Sequence, residues 1–275
     1  MAWYGTHGRH ELPWRLTRDP YAVLVSEVML QQTQVSRVLP YYAEWMERWP
    51  TFGTLSEASP AEVIRAWRGL GYNRRGLNLH RLAQIVAAEH GGKLPRDPRE
   101  LRRLPGIGPY TASAITSFAL ELPASVADTN IARVVTRASL GAASQKDVSP
   151  RTLDSALAKL LPDGNSRDHN LALMDLGATV CGARTPDCGS CPVSRHCAWL
   201  AAGRPTSSAV RAPMPKFETT ARFARGRIID ALRESPALET ELAAVLPARH
   251  AARVATYLAG LERDGLVARD DAAWR

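Results

Sequence analysis

Short apolar-periodic segments follow one another for about two hundred residues, each closed off by Pro, Gly, Asp or Ser, with no alternating strand between them. Such punctuation predicts helix after helix and excludes sheet-based architectures for that stretch. Asp19-Pro20 reads as a helix cap followed by a first-turn proline, with the helix running to about Leu30. Further helices are predicted over 34–49, 60–69, 74–90, 98–104, 110–120, 130–140, 149–161 and 167–181, and no fixed-period repeat is present. The composition changes after Leu200. Residues 201–216 hold three prolines, two serines and a glycine and read as a linker. Helices over 222–234, 238–246 and 250–263, then a short hairpin over 265–274, suggest a small winged-helix-like module at 217–275. Such a module is either a packing appendage or a DNA contact. The expected fold is all-α, with the main domain at 1–200.

At 275 residues, 45% apolar and 23% charged, the chain is long enough to bury a core and ordinary enough to exclude disordered, collagen-like and disulfide-rich classes. It has no apolar run near the ~20 residues of a membrane helix. Its first residues show no apolar stretch behind a basic one, so a signal peptide is not expected. The expectation is a cytoplasmic, nucleoid-associated chain with no membrane partner. Lys and Arg total 35 against 27 Asp and Glu, a net charge of +8. That balance suits a polyanionic partner.

All four cysteines fall within seventeen residues, as Cys181, Cys188, Cys191 and Cys197 in a C-x6-C-x2-C-x5-C pattern. In a chain without a secretory signal, so tight a cluster points to a metal rather than to disulfides. Soft thiolates suit zinc or an iron–sulfur cluster, and spacing does not separate the two. Arg184 lies in the loop between the first two cysteines, either touching a phosphate or simply solvated.

Leu104-Pro-Gly-Ile-Gly-Pro-Tyr110 lies between two helical segments. Gly106 and Gly108 would allow a tight turn and close backbone approach. The free N–H groups of the next helix could face a phosphate, as in a helix-hairpin-helix that grips the DNA backbone without reading sequence. Glu27 shares a helical face with Val23, Leu24 and Leu30. If buried there, its carboxyl would hold its proton and suit a general acid; the alternative is a Glu at the core edge that pairs with an Arg. Asp128 precedes a helix start, where capping is its plain role. A carboxylate fixed there stays ionised and could also stabilise a cationic sugar.

Taken together, Leu12-Pro-Trp-Arg15, Ser26-Glu-Val-Met-Leu-Gln-Gln-Thr-Gln-Val35, Gly69-Leu-Gly-Tyr72, the 104–112 hairpin, Asp128-Thr-Asn130 and Met174-Asp-Leu-Gly-Ala178 with the following cysteine run resemble the MutY family. This is the adenine-specific branch of the helix-hairpin-helix DNA glycosylases, and the resemblance covers roughly residues 9–200. It implies a two-lobed fold and a [4Fe–4S] cluster on the four cysteines. It also implies a monomer acting on double-stranded DNA at a mismatched or oxidised base pair. By the same resemblance, Glu27 protonates the adenine leaving group, Asp128 stabilises the oxocarbenium-like sugar, and Asn130 supports that site. Gln32 and Tyr72 enter the base stack, Thr33 and Leu70 contact the opposite 8-oxoguanine, and Trp14, Arg15 and Asp175 belong to the base pocket. Arg15 and Asp175 have a plainer reading as a salt bridge.

The related endonuclease III branch carries a lysine nucleophile where this chain has Tyr110. That difference implies glycosylase activity without strand cleavage. Two features depart from the family pattern. Many members carry a base-reading glutamine at the position of Leu171, and a leucine cannot make that contact, which opens thymine or uracil opposite guanine as an alternative. Many members also end in a larger domain that recognises 8-oxoguanine, for which the tail here is too short. A non-catalytic DNA-damage-binding protein and a zinc-binding winged-helix regulator are the readings from other classes.

Overall fold

Polar side chains meet the free N–H groups at about half of the α-helix starts in a computed structural model of the chain, which describes residues 1–207 and 214–275. Asp19 accepts from the backbone N–H groups of Tyr21 and Ala22 at 3.1 and 3.3 Å and opens helix Pro20–Leu30. Ser59 and Glu62 form a reciprocal cap ahead of helix Pro60–Ala66. Ser149 caps helix Pro150–Leu160, and Gly141, in the left-handed region at φ 69°, ends helix Thr129–Leu140. Two short helices, Ala2–His7 and Phe52–Ser56, were not expected from periodicity; each is under two turns, too short to show a repeat. No helix among the described residues is long and apolar enough to cross a membrane.

The chain divides into two compact units, and it passes from one to the other within helix Pro20–Leu30. The first comprises Met1–Glu27 and Leu94–Arg211. Its core is built on helices Pro109–Phe118, Thr129–Leu140 and Ser166–Asp175, with Ile115, Ile131, Val134, Val135 and Leu171 buried. The predicted helix over 167–181 departs from its expected shape. Beyond Asp175 the backbone widens, so that Cys181 N–H reaches the Leu176 carbonyl five residues back at 2.7 Å. Gly177 sits in this wide turn against Asn130; a Cβ there would come within 2.6 Å of the Asn130 Cβ, so only glycine fits.

The second unit comprises Val28–Lys93 and Ala212–Arg275. Trp45 packs edge-on against Trp49 and Trp67, and Leu55, Val63, Leu82 and Val86 are buried in the same unit. Residues 217–275 form helices Ala221–Glu234, Glu239–Ala244, Ala248–Ala251 and Val254–Asp264, with three two-residue antiparallel strands in the order first, third, second. The sequence reading made this a module of its own, beyond a domain running to residue 200. The structure instead groups it with residues 28–93. Ile64 and Leu77 complete the core formed by Ile228, Leu258 and Leu261, and Arg233 donates to the Ile64 carbonyl and to Asn73 Oδ1 at 3.0 Å each. An amphipathic pattern marks the buried face of a helix but not what covers it. Of the expected linker 201–216, residues up to 207 pack on the first unit: Pro205 accepts from the Trp199 indole and Ser207 donates to Asp147. Residues 208–213 lie outside the described residues.

Candidate active site

Helix Pro20–Leu30 carries Glu27 on its buried face, with Val23 and Leu24 one turn earlier. The side chain is 6% exposed. The Tyr110 hydroxyl, at the start of helix Pro109–Phe118, donates to Glu27 Oε2 at 2.6 Å. Burial raises the carboxyl pKa to about 7; the nearby Asp128 charge adds to the rise, while the Tyr110 hydrogen bond and Arg15 oppose it. Glu27 therefore holds its proton up to about neutral pH, within electrostatic reach of Asp128. Burial and the neighbouring Glu27 push the Tyr110 phenol well above its ordinary value, so it stays a donor. Tyr110→Phe is expected to raise the Glu27 pKa further and to move the alkaline limb of the pH–rate profile upward. An unmoved limb would show that the hydrogen bond does not tune Glu27.

Asp128 performs the capping role read from sequence. Its Oδ1 accepts from the N–H groups of Asn130 and Ile131 at 2.7 and 2.8 Å. Its Oδ2 accepts from Asn130 Nδ2 at 3.3 Å, and the side chain remains partly exposed. Asn130 is itself fixed by Arg133, whose Nη2 donates to Asn130 Oδ1 at 2.8 Å and to the Gly177 carbonyl at 2.5 Å. Arg133 Nε donates to the Cys181 carbonyl at 2.7 Å, which ties the carboxylate to the cysteine loop. Sequence reasoning missed Arg133. Its only signal is the one-turn spacing from Asn130 on the same helix.

The pocket residues are placed as follows. Trp14 and Arg15 lie buried in the turn Pro13–Arg15. Both Arg15 Nη atoms grip Asp175, at 2.5 and 2.7 Å, and Arg9 joins at 2.8 Å through Nε and at 2.9 Å through its backbone N–H. The salt-bridge reading of Arg15 and Asp175 is thus what the structure contains. Burial works against an ionised Asp175, but its partners Arg15 and Arg9 outweigh it and hold the carboxyl below the usual range. Leu171 is buried with no polar group to offer. In the hairpin, Gly106 takes φ 80°, while Gly108 is extended and caps the next helix with no side chain, leaving open space where a Cβ would stand. Arg184 is exposed on its loop.

The four cysteines line one pocket with Val134, Arg137, Leu176 and Trp199. Each of the other three thiols acts electrostatically on Cys191, whose own pKa is raised first by burial. Arg137 places Nη1 at 3.4 Å from the Cys181 sulfur and 2.8 Å from the Gly182 carbonyl, and its guanidinium stacks on Trp199 at 4.6 Å. Among the described residues no three His, Cys, Asp or Glu side chains close on a point that would hold a single metal ion. The four cysteines line one cavity. Four soft donors with a cation beside them fit an anionic thiolate-bound cluster.

The remaining predicted residues lie in the second unit. Gln32 and Tyr72 both have left-handed backbones, at φ 57° and 47°, and both are exposed. The Tyr72 hydroxyl donates to Gln32 Oε1 at 2.5 Å. Non-glycine residues in that region carry strain that surrounding structure must hold. The holder is Arg75, which the sequence reading did not single out. Its Nη1 donates to the carbonyls of Val28 and Gln31 at 2.7 and 2.6 Å, and its Nη2 to those of Leu70 and Gly71 at 2.9 and 3.1 Å. One guanidinium therefore sews the turn at Gln32 to the turn at Tyr72, and burial lowers its pKa to about 10. Leu70 is buried and Thr33 half-buried.

The helical fold thus brings together a glycine hairpin, a protonated buried carboxyl and a helix-capping carboxyl group. Residues 25–162 match the HhH-GPD family, described as HhH-GPD superfamily base excision DNA repair protein. Among solved structures, the fold is similar to a thermostable thymine-DNA glycosylase (TM-score 0.67, 31% identity), covering 73% of this chain and 93% of that one. It is also similar to an endonuclease III trapped in a covalent intermediate with DNA (TM-score 0.63, 25% identity), covering 74% and 92%. Among curated proteins, the adenine DNA glycosylase of Mycolicibacterium smegmatis is 48% identical over 236 residues, 86% of this chain and 79% of that protein. That of Mycobacterium tuberculosis is 44% identical over 246 residues, 88% and 80%. The human adenine DNA glycosylase is 44% identical over 207 residues, 72% of this chain and 38% of that protein. The chain belongs to the adenine DNA glycosylases, the MutY family of the helix-hairpin-helix superfamily.

Proposed function

We propose that this DNA glycosylase hydrolyses the N-glycosidic bond of adenine mispaired with 8-oxoguanine or guanine and leaves the strand intact. The observation that carries the reading is the buried Glu27 carboxyl, protonated to about pH 7 near the helix-capping Asp128. With the nucleotide flipped out of the stack, Glu27 gives its proton to a ring nitrogen of adenine. The C1′–N bond then breaks with its electron pair leaving on the neutral base, and the cationic sugar faces the Asp128 carboxylate. Water adds at C1′, giving its proton to the Glu27 carboxylate, and yields an abasic site. Asn130 and Arg133 keep Asp128 aimed, and Trp14 walls the base pocket. Position 110 presents a phenol that donates to Glu27, not an amine able to form a Schiff base.

On the DNA side, Gln32 and Tyr72 replace the stacking lost on flipping, Thr33 and Leu70 adjoin the opposite base, and Gly106 and Gly108 bring backbone N–H groups to a phosphate, with Arg184 as a further phosphate contact. Cys181, Cys188, Cys191 and Cys197 would hold a [4Fe–4S] cluster. Its four iron–thiolate bonds would tie down the loop that Arg133 and Arg137 grip. The protein acts as a monomer on chromosomal DNA in the cytoplasm.

The test is single-turnover excision on one set of duplexes, with adenine opposite 8-oxoguanine, guanine and cytosine, and thymine and uracil opposite guanine. Adenine release, with strand breaks appearing only after alkali, is expected from the first two. Release of thymine or uracil alone would overturn the substrate and mark Leu171 as the changed pocket residue. Breaks without alkali would overturn the monofunctional mechanism.

A further inference from the structure

The guanidinium of Arg222 lies over the Tyr72 ring at 4.8 Å, over the Phe217 ring at 5.0 Å, and donates to the Tyr72 hydroxyl. All three residues are exposed. They belong to one compact unit, but Arg222 comes from the first turn of helix Ala221–Glu234, 150 residues along the chain from Tyr72.

The presentation of Arg222 is built rather than incidental. The turn Phe217–Thr219 is anchored from beneath by buried His250, whose ring bonds the Glu218 carbonyl and the Tyr257 hydroxyl at 2.9 Å each. Thr220 caps the helix that carries Arg222. That helix is fixed to residues 28–93 by the shared apolar core and by Arg233. At the other end, Arg75 holds the strained turn of Tyr72. Two rigid supports thus meet in a solvent-exposed stack of a phenol, a guanidinium and a phenyl ring. A soluble protein gains little stability from such a stack at its surface. Its planar faces and forked donors are what a nucleic-acid base is bound by.

We propose that Arg222 is a specificity-determining residue that reads the base left unpaired opposite the extruded one, favouring a guanine-type base through the acceptors of its edge: O6 and N7 in guanine, O6 and O8 in 8-oxoguanine, whose N7 carries a hydrogen. The inference rests on the reading of Tyr72 as the residue that enters the base stack. If Tyr72 goes in at the mispair, a guanidinium bonded to its hydroxyl arrives at the same base step. Arginine to guanine O6 and N7 is the commonest specific base contact, whereas cytosine presents an amino donor on its major-groove edge, which repels another donor. Residues 217–275 are then a working part of the wedge and not an appendage.

The experiment uses the full chain with its cluster and duplexes whose target is a 2′-fluorinated adenosine that resists cleavage. Dissociation constants are measured by anisotropy with guanine, 8-oxoguanine or cytosine opposite, for wild type, Arg222→Ala and Arg222→Lys. The wild type is expected to prefer guanine and 8-oxoguanine over cytosine. Arg222→Ala is expected to shrink that preference by between about 5- and 100-fold. Arg222→Lys is expected to recover affinity for every duplex but not the preference, because an ammonium lacks the fork. A preference that is absent in the wild type or unchanged in Arg222→Ala would overturn the proposal. So would an equal loss on all duplexes that lysine restores, the signature of a phosphate contact. Unmodified duplexes run in parallel separate the two readings. Wild-type adenine release with an unchanged Arg222→Ala preference refutes only the role of Arg222. No adenine release from any duplex refutes the proposed function.

Discussion

Glu27→Gln is expected to lower single-turnover excision by at least about 10²- to 10⁴-fold, the range a positioned general acid contributes, while DNA affinity is retained. Glutamine keeps an oxygen for the Tyr110 hydroxyl but has no proton to give at neutral pH. Wild-type excision should fall as pH rises through about 7, where the carboxyl ionises, and the residual rate of Glu27→Gln should show no such limb. The same burial makes a stability prediction. A carboxyl whose folded pKa lies above its ordinary value of 4.5 favours the folded state fully below that value and loses the benefit as pH rises toward 7. Above pH 7 the wild type keeps an ionised carboxylate in apolar surroundings. Glu27→Gln should therefore melt higher than wild type at pH 8, with the gap narrowing toward pH 5. An active Glu27→Gln, or a gap that widens toward acid, would remove Glu27 from the acid role.

The second large effect is at Asp175. Its side chain is fully buried and is held by Arg15, itself 5% exposed, and by Arg9. Asp175→Asn leaves two guanidiniums facing a neutral amide. Breaking one side of a buried ion pair costs about 3–5 kcal/mol. For a chain of this size that corresponds to a fall in melting temperature of roughly 6–20 °C. Differential scanning calorimetry at pH 7 measures it directly. An unchanged melting temperature with altered base selectivity would instead return Asp175 to the base pocket as a contact residue. The surface pair Arg48–Glu62, solvated on both sides, offers the contrast: Arg48→Ala, which leaves the Glu62 cap in place, should leave the melting temperature almost unchanged.

The sequence by itself determined what local rules control. Helix starts at Asp19, Ser59, Asp128 and Ser149 are legible because a cap acts within three residues of its own position. The apolar face that carries Glu27 is legible because Val23 and Leu24 lie one turn away on it, but burial of the carboxyl rather than a place at the core edge is decided only by the structure. The cysteine pattern is legible because four soft donors in seventeen residues have few other uses. What only the tertiary structure decided are contacts whose partners lie far apart in the chain. Tyr110 reaches Glu27 across 83 residues, and Arg15 reaches Asp175 across 160. Arg75 joins two turns about forty residues apart, and Arg222 meets Tyr72 across 150. Periodicity tells a helix which face to bury, since that follows from 3.6 residues per turn. It is silent on which other element covers that face, and so on where residues 217–275 dock and which guanidinium each buried carboxyl finds.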